Sequence, residues 1–301
     1  MRARLNLRPE AAESLHGLAA PPPFVRVLKG HSGAEVVLHS GAGTSLVRKT
    51  AGTPAQNERL LRQSARQREL LACGLRLPRV LREGLDEHGR AFFEMEYVPA
   101  RSLAAILCDA APFDAASVEM ALGRMLGLFQ MTEDGALPAR PFHDKLDQIA
   151  AAVPQASALT ARLRAMDWEG IPSSQGHDDL TLENILVCPS RGLVFIDCDE
   201  AFVSSWWLDV AKLCQDAMGH WCMRALYLNR PGSVAWLNAR QRLDRMAQML
   251  GAMAARLDPR LPARLAQLTA LHLLRTLPYA RDAALTAFVL ARAAHVLKES
   301  P

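Results

Sequence analysis

The chain has 301 residues, half of them apolar and 22% charged, with a formal net charge of +4. That balance suits a soluble globular protein of one large or two modest domains and excludes a disordered chain. No apolar run approaches the roughly 20 residues of a membrane span, so no membrane partner is expected.

Arg2 and Arg4 are followed by no apolar segment, which speaks against a secretory signal. Residues 1–23 read as a mobile leader that ends in the stiff spacer Pro21-Pro22-Pro23. Residues 24–52 alternate in strand fashion. Phe24 to Leu28, Ala34 to His39 and Thr44 to Lys49 fit three short antiparallel strands. The first turn is Gly30-His31-Ser32-Gly33, chemistry that suits either a plain hairpin or a backbone lying over phosphates. Lys49 ends the third strand, with Arg48 and Lys49 on alternate faces.

Residues 55–73 read as a helix whose inward face is Leu60, Ser64, Gln67 and Leu71. Glu69 points almost opposite that face, and Glu58 lies in the first turn, where it suits the helix dipole. Leu77 to Leu81 and Ala91 to Tyr97 read as two further strands, joined by the turn Asp86-Glu87-His88-Gly89. As side chains, Glu94 and Glu96 fit the solvated face of an edge strand. Segments 102–109, 114–131, 143–152 and 154–166 are amphipathic helices, with Asp114 and Asp144 near their starts. Trp206 to Leu213 opens another helix. Residues 233–256, 261–277 and 280–298 give three more, interrupted at Pro278.

The stretch between these helices carries the chemistry. Gln175-Gly176-His177-Asp178-Asp179-Leu180-Thr181-Leu182-Glu183-Asn184 is a polar loop leading into the apolar strand Ile185-Leu186-Val187. The turn Pro189-Ser190-Arg191-Gly192 then returns the chain through Val194-Phe195-Ile196 to Asp197-Cys198-Asp199-Glu200. Such a hairpin brings Asp179, Asn184 and Asp197 to one point. Phosphoryl transfer needs a carboxylate to orient the attacking hydroxyl, plus an amide oxygen and a second carboxylate to hold Mg²⁺. Hard oxygen donors suit that ion, and no His/Cys group here suits zinc better.

This stretch resembles the catalytic and metal-binding segments of the aminoglycoside phosphotransferase and choline kinase-like family, in the pattern His-x-Asp-Leu-x-x-x-Asn-Ile-Leu followed by Ile-Asp. The resemblance implies an α+β, two-lobed protein kinase-like fold. It pairs a small antiparallel sheet lobe at 24–98 with a larger, mostly helical lobe at 99–301. It implies Asp179 as catalytic base, Asn184 and Asp197 as Mg²⁺ ligands, and His177 as a brace for the loop. It also implies that Gly30, Ser32 and Gly33 cover the phosphates of ATP, or of GTP, and that Lys49 holds the α- and β-phosphates. The backbone of residues 95–98, with Glu96, Tyr97 and Val98, would receive the adenine. An Asp near the start of the helix after the catalytic segments, here Asp209, would brace the catalytic-loop backbone.

Two positions depart from the family pattern. The family usually has Gly where this chain has Asp178, whose charge would raise the pKa of Asp179. The helix at 55–73 offers Gln63, Gln67 or Glu69 as the Lys49 partner, with the glutamines better placed than the acid.

Residues 229–301 hold ten arginines and Lys298 against Asp244, Asp258, Asp282 and Glu299, a balance that favours a neutral or anionic small-molecule hydroxyl acceptor over a polycation. A looser similarity to bacterial phosphotransferases of sugar and envelope metabolism implies a sugar. Arg275 and Tyr279 either face that acceptor or pack in the core. The arginines are not grouped with aromatics, so no nucleic-acid partner is expected. Six cysteines without a CxxC pair fit free thiols in a reducing cytoplasm. Two alternatives remain open: a non-catalytic, kinase-shaped nucleotide-binding module, and a metal-dependent phosphohydrolase built on the His177-Asp178 pair.

Overall fold

The computed structural model describes residues 24–28, 33–41, 44–109, 111–199 and 202–298. The leader at 1–23, with Gly30 and Ser32, lies outside the described residues. The chain divides into two compact units. One holds the described residues up to Leu60 with Val80–Tyr97, and the other holds Leu61–Arg79 with the described residues from Val98 on.

The small unit is one antiparallel sheet of β1 (Phe24–Leu28), β2 (Glu35–Gly41), β3 (Thr44–Thr50), β4 (Val80–Leu85) and β5 (Ala91–Glu96), in the order β1-β2-β3-β5-β4. Period-two alternation sorts its residues. Leu38, Val47, Ala91, Phe93 and Met95 build the core, joined by Leu60 at the start of α1 (Asn57–Ala72). β5 is therefore an inner strand and not an edge. Glu94 is only 6% exposed, a correction to its reading as a solvated residue. Its carboxylate accepts from Arg48 Nε at 3.0 Å and from Arg82 Nη2 at 2.9 Å, and the Arg48 guanidinium lies 4.0 Å from the Phe92 ring centre.

The larger unit begins with the second part of α1. Leu77 and Pro78 precede β4 rather than belonging to it. Pro78 has no N–H to give a ladder, and Leu77 is buried in the larger unit's core. A three-stranded sheet follows the order β6 (Arg101–Ser102), β7 (Ile185–Cys188) and β8 (Gly192–Phe195). β7 and β8 form the expected hairpin, with Cys188 opposite Gly192, whose φ of 71° favours glycine.

The helices are α2 (Leu103–Cys108), α3 (Ala115–Gln130), α4 (Arg140–Ala152), α5 (Ser157–Arg164), α6 (Trp206–Ala217), α7 (Arg224–Asn229), α8 (Val234–Leu257), α9 (Pro262–Leu274) and α10 (Ala283–Lys298). Asp114 caps α3 by accepting from Ser117 N at 3.1 Å. Asp144 caps nothing, because Pro141 starts α4 a turn earlier. It pairs instead with Arg140 at 3.6 Å. β6 and α7 have too short a pattern to be read from sequence.

α6 packs on α8 and α9 and is buried on nearly every side, Lys212 being its one partly exposed residue. No helix among the described residues is long and apolar enough to cross a membrane.

Replacing Glu94 with Gln should lower stability by about 1–3 kcal/mol, because two arginines lose a charged acceptor. Arg82 first, against burial, holds the Glu94 carboxyl below its usual range. Its stabilisation is therefore present above the ordinary carboxylate range and lost as pH falls through the folded value. Denaturant unfolding of wild type and Glu94→Gln should differ near neutral pH and converge in acid.

Candidate active site

The loop Gly176–Asn184 is hung from one face of α6. The Asp209 carboxylate accepts from His177 N at 2.7 Å and from Asp178 N at 2.9 Å, and Asp216 accepts from Leu182 N at 2.7 Å. Between them Lys212 reaches Asp179 Oδ1 at 3.1 Å. Positions 209, 212 and 216 follow helical spacing, so one rigid element fixes both ends and the middle of the loop. From α1, Arg66 Nη2 donates to Gly176 O at 2.7 Å and holds the loop's entry.

The loop places Asp179 and Asn184 together. Asn184 Nδ2 donates to Asp179 Oδ2 at 3.0 Å and to Asp179 O at 2.8 Å. Both bonds use the amide nitrogen, so neither consumes the amide oxygen. Ile196 N donates to Asn184 O at 3.0 Å, which brings Asp197 alongside at the end of the hairpin. Asp197 sits at φ 58°, a left-handed turn that ends the strand. The Asp179 side chain keeps 39% exposure, so a hydroxyl can reach a carboxylate whose two oxygens are already positioned by Lys212 and Asn184.

His177 is fully buried, with its ring edge-on to Phe195 at 6.3 Å between centres. Burial pushes its pKa down to about 4, so it stays neutral and fits the bracing role rather than proton transfer. Asp178 stands at φ 67°, where a side chain is strained and glycine is not. Its carboxylate accepts from Ser204 Oγ at 2.7 Å and lies near Asp209. Burial pushes the Asp178 pKa up to about 6. Burial, then the Asp178 charge, raises Asp209 well above the usual range, and burial raises Asp216 to about 7.

The remaining expected site residues fall as follows. Gly33 has φ 77°, and its carbonyl packs so close to Gly52 that a side chain there would collide. Lys49 is 3% exposed on β3, opposite Phe93. Glu96 pairs with Leu46 in the sheet, and Tyr97 N donates to Ser45 O at 3.4 Å. Val98 is buried in the larger unit beside Cys188 and Val194. Of the possible Lys49 partners, Glu69 is exposed and paired with Arg66 at 3.5 Å, whereas Gln63 and Gln67 are buried. Gln67 Nε2 donates to Pro78 O at 2.6 Å.

Lys212, Asp216 and Ser204 escaped the sequence reading. The spacing of Asp209, Lys212 and Asp216 on a nearly all-buried helix was the available signal for the first two.

Asn184 and Asp197 offer the hard amide and carboxylate oxygens that Mg²⁺ takes. Among the described residues no group of three or more His, Cys, Asp or Glu is arranged to hold a metal. A two-residue donor set of this kind fits an ion whose other ligands are phosphate and water oxygens.

A family model, the phosphotransferase enzyme family, matches residues 23–230. No curated protein matches the chain. Solved structures share the fold. A thermostable mutant of aminoglycoside phosphotransferase APH(4)-Ia in ternary complex with AMP-PNP and hygromycin B is 14% identical, over 91% of this chain and 93% of that one, with a TM-score of 0.59. Another mutant of it, with ADP and hygromycin B, is 15% identical over the same shares, with a TM-score of 0.55. The fold is α+β and protein kinase-like.

Asp209→Asn keeps one acceptor oxygen where two N–H groups need one each. It should cost about 1–3 kcal/mol in unfolding free energy. Asp178 carries a raised folded pKa, so its ionisation weakens the fold as pH rises from about 4 through about 6. Denaturant unfolding across that window should show a flatter loss of stability for Asp178→Asn than for wild type.

Proposed function

We propose that this chain, which belongs to the phosphotransferase enzyme family, moves the γ-phosphate of ATP, or of GTP, to a hydroxyl of a small neutral or anionic metabolite such as a sugar. The observation that carries this reading is the fixed Asp179–Asn184 pair at 3.0 Å, with Asp197 beside it at the end of the paired strand. The AMP-PNP and ADP complexes of the APH(4)-Ia mutants support a nucleotide substrate.

In this reading Asp179 accepts a hydrogen bond from the acceptor hydroxyl and aims its oxygen at the phosphorus. Lys212 and Asn184 hold the carboxylate in that aim, so little reorganisation is needed at the moment of transfer. Asn184 and Asp197 hold Mg²⁺, which neutralises phosphate charge when bound. In the small unit, buried Lys49 serves the phosphates. Gly30, Ser32 and Gly33 serve as the covering turn, and the backbone at Glu96, Tyr97 and Val98 receives the base. The small lobe in this role runs over 24–98 and the acceptor lobe over 99–301. The excess of arginine after residue 229 disfavours a polycation such as hygromycin B. The free cysteines fit a reducing cytoplasm.

Thermal unfolding with ATP or GTP, each with and without Mg²⁺, tests the nucleotide site. A ligand at about 100 times its Kd adds about 2.7 kcal/mol. The shift should require Mg²⁺ and vanish in Asp197→Ala; a normal shift in that variant would refute the metal assignment. Asp179→Asn should retain nucleotide binding while turnover falls by about 100-fold or more. Unchanged turnover would remove Asp179 from its role.

A further inference from the structure

Arg275 lies within electrostatic reach of Asp179, and Lys145 within reach of Arg275. Lys145, on α4, is half-buried, and its Nζ donates to Gln148 Oε1 at 2.8 Å. The acids on either side of it are taken: Asp144 pairs with Arg140, and Asp147 pairs with Arg164. Arg275, just after α9, donates from Nη1 to His272 Nδ1 at 3.2 Å. Burial, then the Arg275 charge, holds His272 well below its usual pKa, so the imidazole is a neutral acceptor. Neither cation has a carboxylate within ion-pair distance among the described residues.

Both cations lie over one ring. The Arg275 guanidinium is 4.8 Å from the centre of Phe202 and Lys145 Nζ is 5.6 Å from it. Phe202 is itself fixed edge-on against Phe142 at 5.6 Å, and Phe142 stacks on Trp168 at 4.7 Å. The two like charges are thus held close by a rigid aromatic wedge. Burial and the Arg275 charge together hold the Lys145 ammonium below its usual pKa. A cation–π contact offsets only part of such repulsion. Arg275 also lies within electrostatic reach of Asp179, of Tyr279, which is 82% exposed, and of Asp178 and Asp199. Two cations held this close without an ion-pair partner of their own, one of them reaching Asp179, repel a polycationic acceptor and attract an anion.

Resting on the phosphotransferase reading of the same site, we infer that the acceptor carries an anionic group, carboxylate or phosphate, which seats on Lys145 and Arg275 while its hydroxyl meets Asp179. Arg275 supplies a planar fork for two oxygens, and Lys145 a point charge from a helix. Phe202 sets the spacing of the two, and Tyr279 stands at the rim. The acceptor class is then a hydroxylated acid or a phosphorylated sugar.

The test is phosphoryl transfer from ATP to matched hexose, hexuronate, hexose phosphate and hexosamine, each also assayed by thermal shift with ADP and Mg²⁺. One of the anionic sugars should exceed the neutral hexose in kcat/KM by about 10- to 100-fold, and the hexosamine should be poorest. Which anion leads separates carboxylate from phosphate. Lys145→Gln should remove the preference through acceptor KM, Lys145→Arg should restore most of it, and Arg275→Lys should keep part of it. Equal use of neutral and anionic sugars would overturn the inference. So would a Lys145→Gln enzyme with the wild-type preference, a rise in nucleotide KM in place of acceptor KM, or neither turnover nor stabilisation with any anionic sugar. Loss of the underlying phosphotransferase reading shows separately, as the absence of a Mg²⁺-dependent nucleotide shift in wild type.

Discussion

The active loop depends on Asp209. Its carboxylate accepts the N–H groups of His177 and Asp178 at 2.7 and 2.9 Å, in a place that is 1% exposed. A buried carboxylate is costly unless its oxygens are satisfied, and two backbone N–H groups are otherwise costly to bury in a loop. Each requirement answers the other. Because α6 is enclosed by α8 and α9, the strut cannot shift to follow the loop; the loop must conform to it. The same helix then delivers Lys212 to Asp179 and Asp216 to Leu182 N. The position of Asp179 is therefore decided by the packing of a helix outside its own loop.

Environment separates acids of one chemical type into different roles. Asp178, Asp209 and Asp216 are buried, and burial moves all three toward the protonated form. Asp179 differs in having a cation at one oxygen, an amide donor at the other, and open access. Asp209 and Asp216 hold the loop backbone, Asp178 takes the Ser204 hydroxyl, and Asp179 is the accessible acid of the loop. In the small unit Glu94 shows the opposite case. Two arginines answer its charge, so it is held ionised as part of the sheet.

Much of this was legible in the sequence because it is local. The hairpin from Ile185 to Phe195 follows from two apolar runs around a Ser-Arg-Gly turn, and it alone brings Asn184 toward Asp197. The strands at 24–28, 35–41 and 44–50 and most helices carry their own periodicity. What was not legible depends on contacts distant in the chain. Glu94 reads as solvated until β5 is known to lie between β3 and β4. Leu77 and Pro78 read as strand until Leu77 is seen in the core of the other unit. Asp216 reads as an ordinary helix acid until Leu182 N is found against it, and Lys145 as an ordinary surface cation until Phe202 brings Arg275 near.

Asp178 shows how such a site accommodates an unusual residue. Its φ of 67° is where glycine costs least, and where the related family usually has glycine. A side chain there costs roughly 1 kcal/mol or more, with Asp and Asn among the residues that tolerate it best. The chain offsets that with the Ser204 hydrogen bond at 2.7 Å and with the Asp209 bond to the Asp178 N–H, which fixes the turn from outside. Gly176 is the complementary adjustment. A Cβ at that position would meet Asp178 Oδ1 at 2.9 Å and Asp209 Oδ2 at 3.0 Å, so the room for the extra carboxylate exists only because residue 176 has no side chain. The carboxylate at 178 and the glycine at 176 are one arrangement, with Asp209 and Ser204 filling the space that a side chain at 176 would occupy.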